Sequence, residues 1–403
     1  MLTRSYGVLK RWKTGSAAGL AAALFLFSSL SGVGAAPAQA SPWDEVLVFG
    51  DSLSDVGNVR QRSSEFLFGL FTTPDDRYFQ GRFSNGPVWV ESVGNELGLD
   101  ASTRSYSANG LNFAHGGATT FGGTANFGII RNLGRQVDTY LIDEGRTPDA
   151  DSLVVVWAGG NDFLDGGTDT VGPANRIVAQ MQRLYDAGAR HFLAPNLPPL
   201  GETPRFAGDE TAKAQNNALS AGHNASLSAA LSAFAQQPGA VVFELDIAGI
   251  FADLLADPSA FGVTNTADQG IDLANPADAG TYLFWDDVHP TALGHQLISE
   301  VAIDLIRLDA DANYDGVVDL LDFDLLAQGF GGATALGIDG GDFNADGVVD
   351  LLDFDTLAQL FGQSFAGSVT AATVPEPGAA AFLVCGAAWL GRRRSRQGDK
   401  LPA

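Results

Sequence analysis

The chain has 403 residues, 45% of them hydrophobic and 17% charged, a globular composition long enough for two or three domains at roughly 100–200 residues each. A formal net charge of −24 excludes non-specific nucleic-acid binding, and a single cysteine, Cys385, excludes an intrachain disulfide framework. Half of the charge imbalance falls between residues 308 and 362, which hold twelve Asp and no Lys or Arg.

Arg4, Lys10, Arg11 and Lys13 form a basic start, residues 17–30 an apolar run, and Ala38-Gln39-Ala40 a small-x-small cleavage site. That order predicts a secretory signal peptide over residues 1–40, with Ser41 as the mature N-terminus. The apolar run is short for a membrane span, which weighs against a retained anchor.

Val46-Leu47-Val48-Phe49 reads as a short buried strand, too brief and too β-branched for a helix. Gly50-Asp51 breaks it, and Ser52 follows. In an open α/β sheet ligands sit beyond the C-terminal strand ends, which puts the Ser52 hydroxyl at the mouth of the sheet. The plainer reading is that Ser52 or Asp51 caps a following helix. Residues 80–87 look like a turn, with Pro87 suited to the first position of a helix running to Leu97. An apolar segment from Leu111 ends in Gly116-Gly117. Residues 153–157 are the clearest strand, closed by Gly159-Gly160-Asn161-Asp162; residues 191–195 and 240–245 read as two more. Residues 175–187 and 211–234 are compatible with helices, and a last helical run covers 291–308. Alternating strands and helices predict a parallel α/β sheet covered on both faces over residues 41–308, with Ser52, Gly116/Gly117, Asn161 and His289 along one sheet edge.

These residue types suit nucleophilic catalysis. A serine hydroxyl attacks only when a base takes its proton. His289 is a candidate base, and Asp286, three residues earlier, a candidate to receive the other ring N–H and hold the tautomer. The Ser52 N–H, a backbone N–H at Gly117 and the Asn161 amide are candidate oxyanion donors. Each part alone has a duller explanation. Gly159 to Asp162 suits a turn plus helix cap, Asp286–His289 a loop hydrogen bond, and His115, His191, His223 and His295 structural roles. Phe66, Leu67, Phe68, Leu70 and Phe71 suit an acyl-binding wall and ordinary packing equally well.

Phe-Gly-Asp-Ser-Leu-Ser-Asp at 49–55, Asn-Phe-Ala-His-Gly-Gly-Ala at 112–118, Gly-Gly-Asn-Asp at 159–162 and Trp-Asp-Asp-Val-His-Pro-Thr at 285–291 resemble the four blocks of GDSL (SGNH) esterases and lipases. Gly-Arg-Phe-Ser-Asn-Gly-Pro-Val-Trp at 81–89 is a further recurring segment, and the resemblance spans residues 44–308. It implies a three-layer α/β/α flavodoxin-like sandwich. It also implies Ser52 as nucleophile, Gly117 and Asn161 as oxyanion donors, His289 as base and Asp286 as its orienting partner. The expected reaction is hydrolysis of a carboxylic ester, of a lipid or an acylated carbohydrate, through an acyl-enzyme with no cofactor. Position 115, often small in relatives, is His here; it lacks the Asp-x-x-His context of a base, and it leaves Gly116 and Gly117 both open as donor. A carbohydrate O-acetyl esterase and an inactive calcium-dependent adhesion protein are the alternatives.

Asp311, Asn313, Asp315, Val317, Asp319 and Asp322 recur 31 residues later as Asp342, Asn344, Asp346, Val348, Asp350 and Asp353. Oxygen donors at loop positions 1, 3, 5, 9 and 12, with glycine at 6 and a backbone carbonyl at 7, form the EF-hand calcium pattern. The pair resembles a type I dockerin, which implies a small all-α module at 309–362 holding structural Ca2+. So many carboxylates repel one another, so the module is expected to fold only with calcium. Small hydroxyl residues often select a cohesin partner at loop positions 10 and 11; here they are Leu320-Leu321 and Leu351-Leu352. A cohesin-like partner and docking of the leucines on the chain's own hydrolase domain both stay open.

After a linker at 363–373, Val374-Pro375-Glu376-Pro377 precedes an apolar stretch at 378–390 and Arg392-Arg393-Arg394. The order over 374–403 resembles the PEP-CTERM sorting signal. It implies an exosortase-type peptidase as partner and delivery to the bacterial cell surface or extracellular matrix.

Overall fold

The computed structural model describes residues 41–66, 72–313, 316–334, 337–344 and 346–364; the expected signal peptide, Leu67, Phe68, Leu70, Phe71, Asp315 and the expected sorting tail lie outside the described residues. Its strands are β1 (Glu45–Gly50), β2 (Thr124–Ala125), β3 (Ile130–Arg131), β4 (Ser152–Trp157), β5 (His191–Pro195), β6 (Val241–Leu245), β7 (Asn265–Gln269) and β8 (Tyr282–Phe284). Its α-helices are α1 (Asn58–Glu65), α2 (Trp89–Glu96), α3 (Leu133–Asp138), α4 (Gly160–Leu164), α5 (Gly172–Ala187), α6 (Glu210–Phe234), α7 (Ile247–Ala256), α8 (Ala292–Ile306), α9 (Leu320–Gly329) and α10 (Leu351–Leu360).

The central sheet runs β1-β4-β5-β6, with every neighbouring pair parallel. Residues 111–115 extend it beyond β1. Val48 N donates to Leu111 O at 3.0 Å, Phe113 N to Val48 O at 2.7 Å, and His115 N to Gly50 O at 3.1 Å. With that segment the order is the flavodoxin-like one, in which the chain first steps outward from β1 and then returns to build the other way. The point of reversal lies between β1 and β4, where the first and third apolar blocks end.

Strand side chains alternate between two cores, as a period of two requires. Val46, Val48, Leu153, Val155, Trp157, Leu193 and Phe243 face α2, α7 and α8 through Trp89, Val93, Ile250, Leu254 and Ile298. Leu47, Phe49, Val154, Val156, Phe192 and Val242 face α3, α5 and α6 through Val137, Ile177, Met181, Leu184 and Leu231. Each such aliphatic or aromatic side chain contributes about 1.5–3 kcal/mol by leaving water, which is why continuous apolar strands sit here and not at an edge. Gly50 is forced by the close approach of β4, since a Cβ there would stand 2.3 Å from the Trp157 carbonyl oxygen.

Two helix starts differ from the sequence expectation. The helix after Ser52 begins only at Asn58, and the side chain of Asp55 receives the Gly57, Asn58 and Val59 N–H groups. Neither Ser52 nor Asp51 is its cap. Pro87 lies ahead of α2 rather than inside it, because the Glu91 side chain accepts the Val88 N–H at 2.9 Å and starts the helix at Trp89.

The acidic repeat forms two matching loop–helix units. Asp319 and Asp350 cap α9 and α10, and Asp322 and Asp353 reach back to the N–H groups of those caps. Val318, Leu326, Phe343, Val349 and Leu357 turn inward and join the core that also holds Leu305, Ile306 and Leu308 at the end of the large domain. Leu320, Leu321, Leu351 and Leu352 do the opposite, at 69%, 56%, 68% and 58% exposed. They therefore do not pack on residues 41–308; the first turns of α9 and α10 face water. Residues 41–364 fall in one compact unit, and no helix among the described residues is long and apolar enough to cross a membrane.

Candidate active site

The turn after β1 leaves Ser52 at the C-terminal edge of the sheet, directly opposite the loop between β8 and α8. Ser52 Oγ lies 2.7 Å from His289 Nε2, and His289 Nδ1 lies 2.7 Å from Asp286 Oδ2. The Asp286 carboxylate accepts a hydrogen bond from Nδ1–H, so Nε2 is the lone-pair nitrogen facing the serine hydroxyl. Asp286 is also held by its own loop, its Oδ1 accepting the N–H groups of Val288 at 2.9 Å and His289 at 2.7 Å. Burial alone would raise the Asp286 carboxyl, but the neighbouring imidazole and these hydrogen bonds hold it well below the usual carboxylate range. A fixed anion therefore stands behind the ring.

Gly117 and Asn161 line the same cavity as Ser52 and His289. Asn161 Nδ2 donates one hydrogen to Ala118 O at 3.0 Å, which aims the amide and leaves its second hydrogen for a ligand. Gly116 N donates to the buried Asp55 carboxylate at 2.8 Å, so of the paired glycines only Gly117 borders the cavity. A Cβ on Gly116 would meet the Phe83 ring at 2.1 Å, and Gly117 has φ +76°; both positions need glycine.

Several further residues support this arrangement. The Gln136 side chain brackets Gly50, accepting its N–H and donating to its carbonyl, both at 2.8 Å. Asp162 ties the loop after Gly117 to α4: it accepts from Thr120 N at 2.9 Å and Thr120 Oγ1 at 2.7 Å, and pairs with Arg176 at 3.0 Å. Tyr78, 208 residues from Asp286 in the chain, donates its phenol to Asp286 Oδ2 at 2.7 Å. No spacing rule links such distant positions, so only folding reveals them. Asp51 is buried beside Ser52, and burial pushes its carboxyl up to about 7.

The other histidines fall outside this arrangement. His115 is fully buried, its Nδ1 facing Phe113 O at 2.9 Å, and burial pushes it down to about 3; it is held neutral and away from the cavity. His223 and His295 are likewise buried and pushed down by burial, and His191 faces Ala150 O from the start of β5.

The cavity above Ser52 measures about 210 Å³; Leu53, Leu164, Leu197, Leu200, Ile247 and Phe251 are among its apolar lining, and Thr203 and Arg205 border it too. It sits at the reversal point of the sheet, where open α/β folds bind ligands.

In the acidic repeat Asp311, Asp322, Asp342 and Asp353, at loop positions 1 and 12, are all buried, within a stretch without a basic residue. Gly316 and Gly347 take the tight turn at φ +80° and +86°, and their N–H groups donate to Asp311 and Asp342 at 2.9 Å. Buried carboxylates at the two ends of each loop, with glycine at the tight turn, fit a divalent cation. The side chains are not gathered around one point, however: no three acidic or imidazole groups converge as a metal cage among the described residues.

The GDSL-like Lipase/Acylhydrolase family model matches residues 46–302. A phosphatidylcholine-sterol acyltransferase of Aeromonas hydrophila is 29% identical over 322 residues, covering 66% of this chain and 90% of that protein. Esterase EstA of Pseudomonas aeruginosa is 33% identical over 343 residues, covering 71% of this chain, which spans half of that esterase's length. Among solved structures, a lipolytic G-D-S-L family protein from Veillonella parvula aligns at a TM-score of 0.35 with 15% identity, over 65% of this chain and 97% of that one. An acetylxylan esterase from Geobacillus stearothermophilus aligns at 0.36 with 14% identity, over 67% and 97%. With its family model spanning more than half of the sequence, the chain belongs to the GDSL-like lipase and acylhydrolase family of enzymes that act on ester bonds.

Proposed function

We propose that the protein is a secreted serine esterase that cleaves carboxylic esters of aliphatic acyl groups through an acyl-enzyme. The observation that carries this reading is the unbroken line Ser52 Oγ, His289 Nε2, His289 Nδ1, Asp286 Oδ2, with both links at 2.7 Å, on the floor of an apolar cavity. Ser52 attacks the ester carbonyl while its proton passes to His289 Nε2. The Asp286 anion stabilises the imidazolium that results. The tetrahedral oxyanion is met by the N–H groups of Ser52 and Gly117 and the second hydrogen of the Asn161 amide. His289 then protonates the leaving alcohol, and water repeats the sequence to free the acid.

The wall is mostly apolar, which suits an acyl chain, with Thr203 and Arg205 as polar neighbours on the same lining. The cavity is smaller than the roughly 300–1,000 Å³ of drug-sized sites, which suits a short acyl group or the first carbons of a longer one. A panel of p-nitrophenyl acetate, butyrate, octanoate and palmitate beside acetylated xylan tests this. The expected result is highest kcat/KM on a short or medium acyl ester. Activity confined to acetylated xylan would replace the reading with a carbohydrate O-acetyl esterase.

The acidic repeat is read as a dockerin-like module with two structural Ca2+ sites, held by Asp311, Asn313, Asp315, Val317, Asp319 and Asp322 and by their counterparts Asp342, Asn344, Asp346, Val348, Asp350 and Asp353. Calcium there would neutralise the buried carboxylates. The four exposed leucines leave its outer face available to a cohesin-like partner. Export by residues 1–40, and retention at the cell surface through exosortase-type recognition of residues 374–403, complete the reading.

Because the repeat shares its core with the large domain, chelation is expected to lower the melting temperature of the full chain rather than melt the repeat alone. Calcium at 100 times its Kd is worth about 2.7 kcal/mol per site, or about 3 °C per site for a chain of this size. Scanning calorimetry with EDTA and then excess calcium checks this; a melting temperature indifferent to both would remove the calcium sites.

A further inference from the structure

We propose that Tyr78 is a positioning residue for the hydrolytic reaction, tuning through Asp286 the pH range in which His289 acts as a base; this rests on the triad reading above. The Asp286 carboxylate receives four donors. The Val288 and His289 N–H groups meet Oδ1, and His289 Nδ1–H and the Tyr78 hydroxyl meet Oδ2. A carboxylate has about four lone-pair sites, so this one is saturated. The phenol and the imidazole share a single oxygen, each 2.7 Å away. Every donor on that oxygen lowers its charge density, so Tyr78 weakens the hold of Asp286 on the imidazolium and keeps the ring in its neutral, proton-accepting form at lower pH.

The side chain is built into the site. Its ring packs edge-on to Trp285 at 6.4 Å and to Phe83 at 6.2 Å, and Phe83 in turn lies 5.2 Å from the His289 ring. Burial first, and the Asp286 charge second, push the phenol well above its usual range, so it stays a donor at every working pH. The other charged and titratable groups facing these residues are Asp51 on the serine turn, the Arg205–Asp287 ion pair, Asp75 and Arg77 on Tyr78's own loop, and the buried His295 on α8. All of them remain when the phenol oxygen alone is removed.

The test is the pH dependence of kcat/KM for the full chain on p-nitrophenyl butyrate, with Tyr78→Phe and Tyr78→Leu beside the wild type. Without the phenol the Asp286 oxygen regains charge and favours the imidazolium. The acid limb of the profile is expected to move up by about half a pH unit or more in both variants. KM should stay near wild type. Tyr78→Leu, which also loses the ring contacts, should show an additional fall in kcat and melting temperature. An acid limb that stays put in Tyr78→Phe, or moves only in Tyr78→Leu, would overturn the proposal and leave Tyr78 as a packing residue. His289→Ala run in parallel separates this from failure of the triad itself: if that variant keeps wild-type activity, the base is elsewhere and the reading beneath the proposal is wrong.

Discussion

Ser52→Ala is expected to lower kcat on a short p-nitrophenyl ester by about 10⁵–10⁶-fold, with His289→Ala close behind and the double variant little worse than either. The reason is geometric. Oγ and Nε2 stand 2.7 Å apart and work on one proton, so removing either ends the same step. Ser52 sits in a turn after β1, not in a helix, and donates no helix cap, so the substitution should leave the fold intact. Independent, multiplicative losses from the two variants would mean that the residues do not form one unit. Near-wild-type turnover in His289→Ala would place the base elsewhere.

Asn161→Ala should cost about 100- to 1,000-fold in kcat, or about 2.7–4 kcal/mol, with little change in KM. Its amide is already oriented by the Ala118 carbonyl, and the free hydrogen finds its best acceptor only when the ester oxygen becomes an anion. The brace from Asp162 to Thr120 and Arg176 keeps this segment and the Gly117 loop in register without touching the substrate. Steady-state kinetics that show a loss confined to KM, or a loss below about threefold, would remove Asn161 from the oxyanion site.

Local patterns made much of this legible in the sequence. The apolar runs of β1, β4 and β5 leave no alternative to buried strands. The Asp286–His289 pair is close enough in the chain to read as a unit. Helix starts are less legible, because side chains decide them: Glu91 moves the start of α2 past Pro87, and Asp55 takes the cap expected at Ser52 or Asp51. Contacts between distant segments left no trace in spacing. The pairing of residues 111–115 with β1, the Gln136 clasp on Gly50 and the Tyr78–Asp286 bond all belong to this class. The short ladders β2–β3 and β7–β8 were missed because so few residues in partly exposed segments carry no hydrophobic alternation. That Gly116 gives its N–H to the Asp55 carboxylate while Gly117 borders the cavity is a matter of space that sequence does not encode.

The most direct measurement is covalent labelling of the full chain with an alkyl phosphonate ester that reacts with activated serines, followed by peptide mass spectrometry. A single phosphonate on the peptide carrying Ser52, absent from Ser52→Ala and strongly slowed in His289→Ala, is the predicted result. Labelling at another serine, or none in a folded protein that still hydrolyses esters, would contradict Ser52 as the nucleophile.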